Sequence, residues 1–287
     1  MLAGCVSPRH TIDKSASQRK SQLKGTFGTY AGEPRLPSGH VDTQRLVSEL
    51  TEIKAQTYNW LIWHASTDWE DLQEFLPLAA QHNIRVWVTL VPPSESPPKT
   101  KAYSEPFRLD YERWGVEIAQ LSLRHPNLVA WSLDDFSHNG KVFTTERLGK
   151  ILSGARAINP KLAFVPCIYY RHATPEFAKT YAPLIDGILF PFRNESVKMN
   201  LENYETVTGE VRHVKELFGG NVPVFVDVYA TKHSALNDAT PEYVRQVMLR
   251  GHRSANGVLI YCHQSKTGSP EKYQVIKDVF SEWAEKD

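Results

Sequence analysis

The 287-residue sequence has few cysteines, little net charge and no long apolar run. Its three cysteines, Cys5, Cys167 and Cys262, have the spacing of neither a disulfide framework nor a metal site. The net charge of +1 argues against nucleic acid as a partner and against a general attraction to anionic membranes. No apolar stretch reaches the roughly 18 residues that cross a bilayer. These absences leave a globular chain, for which 41% hydrophobic residues is a typical content.

The N-terminal segment differs in character from the rest of the chain. Leu2-Ala3-Gly4-Cys5 resembles a bacterial lipobox, but only Met1 precedes it, without the basic and apolar regions of a signal peptide. Residues 6 to 24 are polar, basic and rich in serine, as is typical of a tether. We therefore predict a flexible tail over residues 1–24. A lipid anchor at Cys5, outside the bacterial cytoplasm, and a frayed cytoplasmic tail both remain open.

From residue 25 to residue 287, short apolar runs alternate with amphipathic stretches of helix length. The apolar runs are rich in Val, Ile, Trp, Tyr and Phe, which favours buried parallel strands. Eight such units predict one α/β domain, a single (β/α)₈ TIM barrel. The predicted strands are Thr26–Tyr30, Tyr58–His64, Arg85–Val91, Leu128–Asp134, Leu162–Tyr169, Gly187–Phe192, Val222–Tyr229 and Gly257–His263.

The helical stretches carry the 3.6-residue period and, in places, capping residues at their starts. Thr240 before Pro241 and Ser269 before Pro270 are examples, because proline suits the first helical position. The predicted helices are Val41–Ala55, Trp69–His82, Thr144–Ile158, Leu201–Phe218, Pro241–Ser254 and Pro270–Glu285. The loops that follow strands three and six, Pro92–Arg108 and Phe192–Asn200, are long, as expected around the active face of a barrel.

Two adjacent carboxylates, Asp134 and Asp135, end the fourth predicted strand. Adjacent buried carboxylates are costly, so this pair favours function over a helix cap or a salt bridge. Neighbouring side chains on a strand face opposite ways, so both aspartates can reach the barrel mouth only where the strand turns into the loop. An inward Asp134 also makes Ala130 and Ser132 inward, and these small residues leave room for a ligand.

The segment Trp131–Phe136 resembles the paired-aspartate motif of O-GlcNAcase-type β-N-acetylhexosaminidases, glycoside hydrolase family 84. Gly28–Gly32 in the first loop adds to the likeness. The resemblance implies a barrel glycosidase in which Asp134 orients the acetamido group of the substrate and Asp135 is the general acid/base. The other sugar-binding residues of that family find no match here, so the likeness to barrel glycoside hydrolases in general is the broader statement.

Asp227, on the seventh predicted strand, fits that broader likeness, because many barrel glycosidases pair an acid after strand four with a nucleophile on strand seven. The spacing of the two carboxyls then separates retention from inversion. A structural ion pair is the alternative role for Asp227. Polar and aromatic residues at the other strand ends are predicted to bind sugar: Trp63, His64, Tyr170, Arg193, Asn194, Tyr229, Tyr261 and His263.

These features predict a glycoside hydrolase that acts on a polysaccharide or glycoconjugate and needs neither a metal nor another cofactor. A carbohydrate-binding barrel without activity is one alternative. A metal-dependent hydrolase is another, with His64, His263 and a rim aspartate as ligands. A dinucleotide site is disfavoured because no helix start follows the glycines of the first turn.

Overall fold

The computed structural model describes residues 14–285, so the predicted lipidation site at Cys5 lies outside the described residues. Eight parallel strands form one sheet, and each begins within two residues of its predicted start. Most end earlier than predicted, because the chain turns into a loop before the last polar residues. The strands are β1 Thr26–Tyr30, β2 Thr57–Ile62, β3 Arg85–Leu90, β4 Leu128–Leu133, β5 Ala163–Phe164, β6 Ile188–Phe192, β7 Val224–Tyr229 and β8 Gly257–Tyr261.

The strand order is β5-β4-β3-β2-β1-β8-β7-β6, which curls the sheet into a TIM-barrel-like fold. β5 is shorter than predicted because Pro166 has no N–H to give to a neighbouring strand. The chain nevertheless stays extended after β5. Cys167 N donates to Leu133 O at 3.0 Å, and Ile168 N donates to Leu189 O at 2.9 Å. A bridge between Cys167 and Leu189 thereby joins the two ends of the sheet.

The helices lie between the strands in sequence and start at the capping residues that the sequence indicates. Thr240 Oγ1, for example, accepts from Tyr243 N at 3.1 Å. The helix predicted from Leu201 begins only at Val207, because the Asn200 side chain binds the backbone N–H groups of Glu202 and Asn203. The helices described are α1 Lys14–Ser21, α2 Thr43–Glu52, α3 Asp68–Gln81, α4 Tyr111–Arg124, α5 Thr145–Ile158, α6 Pro175–Tyr181, α7 Val207–Leu217, α8 Pro241–Ser254 and α9 Pro270–Ala284.

Apolar side chains fill both sides of the sheet. Trp60 and Trp131 belong to the layer between strands and helices, whereas Trp87 and Phe225 pack edge to face inside the barrel with ring centroids 5.1 Å apart. Ala130 belongs to the inner layer, as predicted. Because it is small, the barrel keeps space above this layer, where the polar strand ends meet.

The segment before β1 is structured in the part that the structure describes. Arg19 Nε lies 2.7 Å from Asp186 Oδ1, and Leu23 is buried in the inner layer. Arg85 donates to the carbonyl oxygens of Lys24 and Gly25. Within this segment, Arg19, Lys20 and Leu23 thus have partners on the barrel. No helix between residues 14 and 285 is long and apolar enough to cross a membrane.

Candidate active site

A cavity of about 420 Å³ opens at the carboxyl ends of the strands. Four of its side chains are carboxylic acids, and most of the others are aromatic or histidine. Such a mixture suits a polar ligand with flat faces, because rings pack against it while carboxyls bind its hydroxyls. The lining residues are Tyr30, Leu61, Trp63, Glu95, Asp134, Asp135, His138, Tyr169, Arg193, Asp227, Tyr229, His233, Ser234 and Tyr261.

Asp134 and Asp135 both face this cavity because the chain turns directly after the end of β4. β4 ends at Leu133, and Asp135 adopts the left-handed conformation, with φ +44° and ψ +27°. This conformation is uncommon outside glycine, although aspartate tolerates it better than most residues. Asp135 N donates to Asp134 Oδ1 at 2.9 Å. The turn that the sequence required for two inward aspartates is thus present.

The turn after the aspartates is fixed from two sides. Phe136 is fully buried and stacks on Phe143 with a centroid distance of 5.5 Å. Asn139 Nδ2 donates to Asp135 O at 2.9 Å and to Ser94 Oγ at 2.7 Å. The second bond ties the turn to the loop after β3, so that Glu95 comes to lie beside Asp135.

Asp135 is held as a carboxylate by its neighbours. Tyr169 Oη donates to Oδ1 at 2.5 Å, and His138 Nδ1 lies 3.4 Å from Oδ2. Burial works to raise the pKa of Asp135. The hydrogen bonds from His138 and Tyr169 outweigh burial and bring the pKa below its ordinary value.

The pKa of Asp134 is shifted in the opposite direction. Burial and the charge of Asp135 raise the pKa of Asp134 to about 7. Burial and the same charge raise the pKa of Glu95 to about 7. Adjacent carboxyls in one cavity thus differ in their affinity for a proton, a recurring arrangement where one group acts as an acid and the other stays ionised.

Asp227 lies lower in the barrel than the aspartate pair. It sits on β7 in register with Leu259, whereas Tyr229 above it is in register with Tyr261 at the end of β8. Burial, with the charge of Asp134 added, raises the pKa of Asp227 well above its ordinary value, against a lowering effect of Arg193. Burial therefore favours the neutral form of Asp227 over the ionised form in the ligand-free cavity.

Arg193 is held rigidly at the cavity wall. Its guanidinium carbon lies 4.1 Å above the centre of the Tyr169 ring, and one terminal nitrogen pairs with Glu195. On the same side of the cavity the rings of Tyr229 and His233 stack at 4.3 Å, and Tyr261 meets Tyr229 edge to face at 5.4 Å. These rings offer faces on which a sugar can stack.

Seven of the residues predicted for the site line the cavity together: Trp63, Asp134, Asp135, Arg193, Asp227, Tyr229 and Tyr261. Four predicted sugar-binding residues do not line it: His64, Tyr170, Asn194 and His263. Tyr170 packs its ring against His213, with centroids 5.3 Å apart. Asn194 shapes its own loop, with its side chain bonded to Lys198 O and Thr206 Oγ1. Each follows a residue that does face the cavity, and successive side chains point in different directions.

The two predicted histidines lie at the same end of the barrel but in separate pockets. His64 Nδ1 is 2.8 Å from Glu33 Oε1. His263 lies between Thr29 Oγ1, 3.1 Å away, and Glu49 Oε2, 3.0 Å away. Because each ring is engaged by its own glutamate, the predicted alternative of a metal site built from His64, His263 and an aspartate is wrong.

The structure adds residues that the site prediction omitted, among them Tyr30, Glu95 and His233. Glu95 lies in the long loop after strand three, which was expected to border the active face, so loop length was the available signal. Among residues 14–285, the side chains that bring three metal-ligand atoms within 4.8 Å of one another are Asp134, Asp135 and Cys167. Both oxygens of Asp135 already face Tyr169 and His138, which makes this set a poor fit for a metal.

None of the known protein-family models matches the sequence, and no curated protein matches it at a significant level. Solved structures do match. A β-galacturonidase of glycoside hydrolase family 2 from Eisenbergiella tayi has a TM-score of 0.57 at 13% identity, over 90% of this chain and 51% of that one. The β-D-glucuronidase of Dictyoglomus thermophilum has a TM-score of 0.55 at 16% identity, over 90% and 50%.

A third match, provisionally assigned as an α-L-fucosidase of Bacteroides thetaiotaomicron, has a TM-score of 0.56 at 9% identity and covers 91% of this chain and 96% of that one. The chain spans about half the length of the first two proteins. The fold is that of a glycoside-hydrolase-like TIM barrel. At these identities the likeness is one of fold alone.

Proposed function

We propose that this chain is a glycoside hydrolase of a polysaccharide or glycoconjugate, with Asp134 and Asp135 as its working carboxyls. The observation that carries the proposal is the geometry of these neighbours at the end of β4: both line the cavity, and Asp135 is held there by Tyr169 and His138. Hydrolysis of a glycosidic bond needs a carboxylic acid that protonates the departing oxygen and a second carboxylate that stabilises the reacting centre. The aromatic walls and the glycosidase-like fold support the same conclusion.

We assign the acid role to Asp134 and the orienting role to Asp135. This reverses the assignment that the resemblance to glycoside hydrolase family 84 implies. The reason is physical: an acid must hold its proton near neutral pH, and Asp134 has the raised pKa. Asp135, which accepts a hydrogen bond from Tyr169, keeps its charge and suits an N–H donor on the substrate.

Two adjacent carboxyls suit substrate-assisted hydrolysis. The acetamido oxygen of the substrate attacks the anomeric carbon, the bond to the leaving oxygen breaks, and Asp134 gives that oxygen its proton. Asp135 accepts the acetamide N–H and stabilises the positive charge that forms. Water then attacks the anomeric carbon while the bond from that carbon to the acetamido oxygen breaks, and Asp134 takes up a proton from the water, which completes the cycle.

The rival mechanism makes Asp227 a nucleophile that forms a covalent glycosyl-enzyme. Asp227 is poorly suited to that task in the free protein, because a nucleophilic carboxylate must be ionised and the burial of Asp227 favours its neutral form. It also lies one layer below the strand ends that carry Tyr229 and Tyr261.

A glycan panel with detection of new reducing ends tests the proposal. The wild type is expected to release sugar from at least one glycoside, and Asp134→Asn to release almost none. Asp42→Asn is a matched control, because it removes one charge while asparagine still caps α2 at Arg45 N. Binding of a glycan without release by the wild type would instead favour a carbohydrate-binding barrel.

The extracytoplasmic location remains a proposal that rests on Leu2–Cys5 alone. The mass of the N-terminal peptide, isolated from the native bacterial host, tests it. A diacylglyceryl-modified Cys5 is expected, and an unmodified thiol would refute the anchor.

A further inference from the structure

Three buried polar atoms that line the cavity have no hydrogen-bond partner among the described residues. They are Tyr30 Oη, Arg193 Nε and Asp227 Oδ1. Their side chains are almost inaccessible, with Tyr30 and Asp227 2% exposed and Arg193 6%. A buried polar group without a partner costs free energy, so such groups at a cavity surface indicate where a ligand makes its bonds.

The three residues come from one half of the strand order, and we call them the open wall: Tyr30, Arg193 and Asp227. Tyr30 ends β1, Asp227 lies on β7 and Arg193 follows β6. In the sheet order, β1, β8, β7 and β6 are consecutive neighbours. The aspartate pair ends β4, which lies in the other half of that order. A molecule in the cavity can therefore contact the aspartate pair and the unpartnered atoms at the same time.

The open wall is held in place without using these atoms. The Tyr30 ring packs on Tyr261 with centroids 5.1 Å apart, and Tyr30 Oη lies near Asp134 without a hydrogen bond of normal geometry to it. Arg193 is fixed by the Tyr169 ring and by Glu195, while its Nε has no partner among the described residues. The wall is thus preorganised for a ligand.

The chemistry of the three atoms is mixed. Arginine Nε only donates, a carboxyl oxygen accepts, and a phenol does both. A sugar hydroxyl both donates and accepts, so neighbouring hydroxyls on a pyranose ring match this set. A carboxylate on the ligand only accepts. It would lie in the same cavity as the negatively charged Asp135, while the charge of Arg193 is already matched by Glu195.

We propose that the open wall binds the hydroxyls of a neutral pyranose ring and selects against uronic acids. This inference rests on the proposed function and gives its substrate class. It separates this chain from the galacturonidase and the glucuronidase that share its fold. It also makes Asp227 a residue that positions the sugar, not one that attacks it.

The test measures binding in the Asp134→Asn background, which removes the acid and prevents turnover. Titration calorimetry compares matched ligands: methyl β-glucoside with methyl β-glucuronide, methyl β-galactoside with methyl β-galacturonide, and the 2-acetamido glycosides. Neutral ligands are expected to bind at least about tenfold more tightly than their uronide partners, since a like charge near the cavity carboxyls opposes binding.

Tyr30→Phe removes one hydroxyl from the open wall and is expected to weaken binding of the best neutral sugar about fivefold to tenfold, which is the value of one hydrogen bond. Tyr273→Phe is the matched control. Tyr273 Oη is also buried without a partner, but it lies on α9 outside the cavity, so this change should leave binding unaltered. Asp227→Asn, in the otherwise wild-type chain, should raise KM more than it lowers kcat.

Equal or tighter binding of uronides would overturn the inference, and so would absence of binding by every sugar or an equal effect of Tyr30→Phe and Tyr273→Phe. A large loss of kcat in Asp227→Gly that azide rescues as a glycosyl azide would make Asp227 the nucleophile and also overturn its positioning role. If neutral sugars bind the open wall but the wild type cleaves no glycoside, the wall assignment stands and the hydrolase proposal fails.

Discussion

Two regions at the same end of the barrel use the same residue types in opposite ways. Beside the cavity, Glu33, Arg35, His64 and Asp68 form what we call the histidine network. Glu33 Oε1 is 2.8 Å from His64 Nδ1 and also pairs with Arg35, which reaches Asp68 Oδ1 at 2.6 Å. Asp68 Oδ2 accepts from two backbone N–H groups. Every carboxylate in this network has a cation or an N–H donor.

In the cavity that pairing is incomplete. Asp134 accepts one backbone N–H and Asp135 has Tyr169 and His138, but Asp227 Oδ1 has no partner among the described residues. The pKa values follow the difference: that of Glu33 is lowered because the bonds and charges of His64 and Arg35 outweigh burial, whereas those of Asp134 and Glu95 rise to about 7. Matched charges stabilise the fold, and unmatched ones are available for a substrate.

The largest expected effect is the loss of activity when the proposed acid, Asp134, is replaced. Asp134→Asn should lower kcat/KM by about 10²–10⁴-fold for substrates with poor leaving groups, the range for loss of general acid catalysis. Aryl glycosides with activated leaving groups should lose much less, because they depart without a proton. A series of aryl glycosides of graded leaving-group pKa measures this. Uniform losses across the series would contradict the acid role of Asp134.

Asp135→Asn should lower kcat/KM by about 10²-fold, because electrostatic stabilisation of the reacting centre is lost. The loss should be similar for every leaving group and confined to 2-acetamido substrates, because Asp135 is assigned to the acetamide N–H. The same aryl series, extended to 2-hydroxy sugars, checks it. A leaving-group dependence in Asp135→Asn would restore the acid assignment implied by the family resemblance. A best substrate with a 2-hydroxyl would refute substrate assistance.

The barrel and the aspartate pair could be predicted from sequence because they rest on local patterns. Alternating apolar runs gave the strands, and the polar pair after Leu128–Leu133 gave the site. The sugar-binding predictions that failed depend on which way one side chain points at the end of a strand. Trp63 faces the cavity but His64 does not, and Arg193 does but Asn194 does not. Glu95 needed the contact between two loops, through Asn139 and Ser94, which no local pattern contains.

In the histidine network the expected effect is on stability. Glu33→Gln leaves Arg35 and His64 without their carboxylate and should lower the free energy of unfolding by about 1–3 kcal/mol, a discounted value because both cations are partly exposed. Chemical denaturation measures this, and kcat of the folded protein should be unchanged. A loss of kcat without a loss of stability would mean that the network belongs to the catalytic apparatus.

The pH dependence of stability should also separate the regions. The raised pKa of Asp134 means that the folded state binds more protons than the unfolded state between about pH 4 and 7. The stability that protonated Asp134 contributes to the folded state is therefore present at low pH and is lost as the pH rises through about 7. Asp134→Asn should flatten the decline of Tm between pH 5 and 8 by a few degrees. An unchanged slope would contradict the raised pKa.

The smallest expected effect is that of a chelator. Because both oxygens of Asp135 face Tyr169 and His138, EDTA should change hydrolysis by less than about twofold, unlike the large loss typical of a metal-dependent hydrolase. Assays with and without added Mg²⁺, Ca²⁺ and Zn²⁺ complete the comparison. Loss of activity that one of these ions restores would place a metal at Asp134, Asp135 and Cys167.

Carboxyl ¹³C NMR of aspartate-labelled protein tests the central claim most directly, with Asp134→Asn and Asp135→Asn used to assign the two signals. The account predicts that the Asp134 signal titrates near pH 7, while the Asp135 signal titrates below the ordinary range for aspartate. It would be contradicted if both carboxyls ionise below about pH 4.5, the ordinary range for aspartate, or if Asp135 holds its proton to the higher pH.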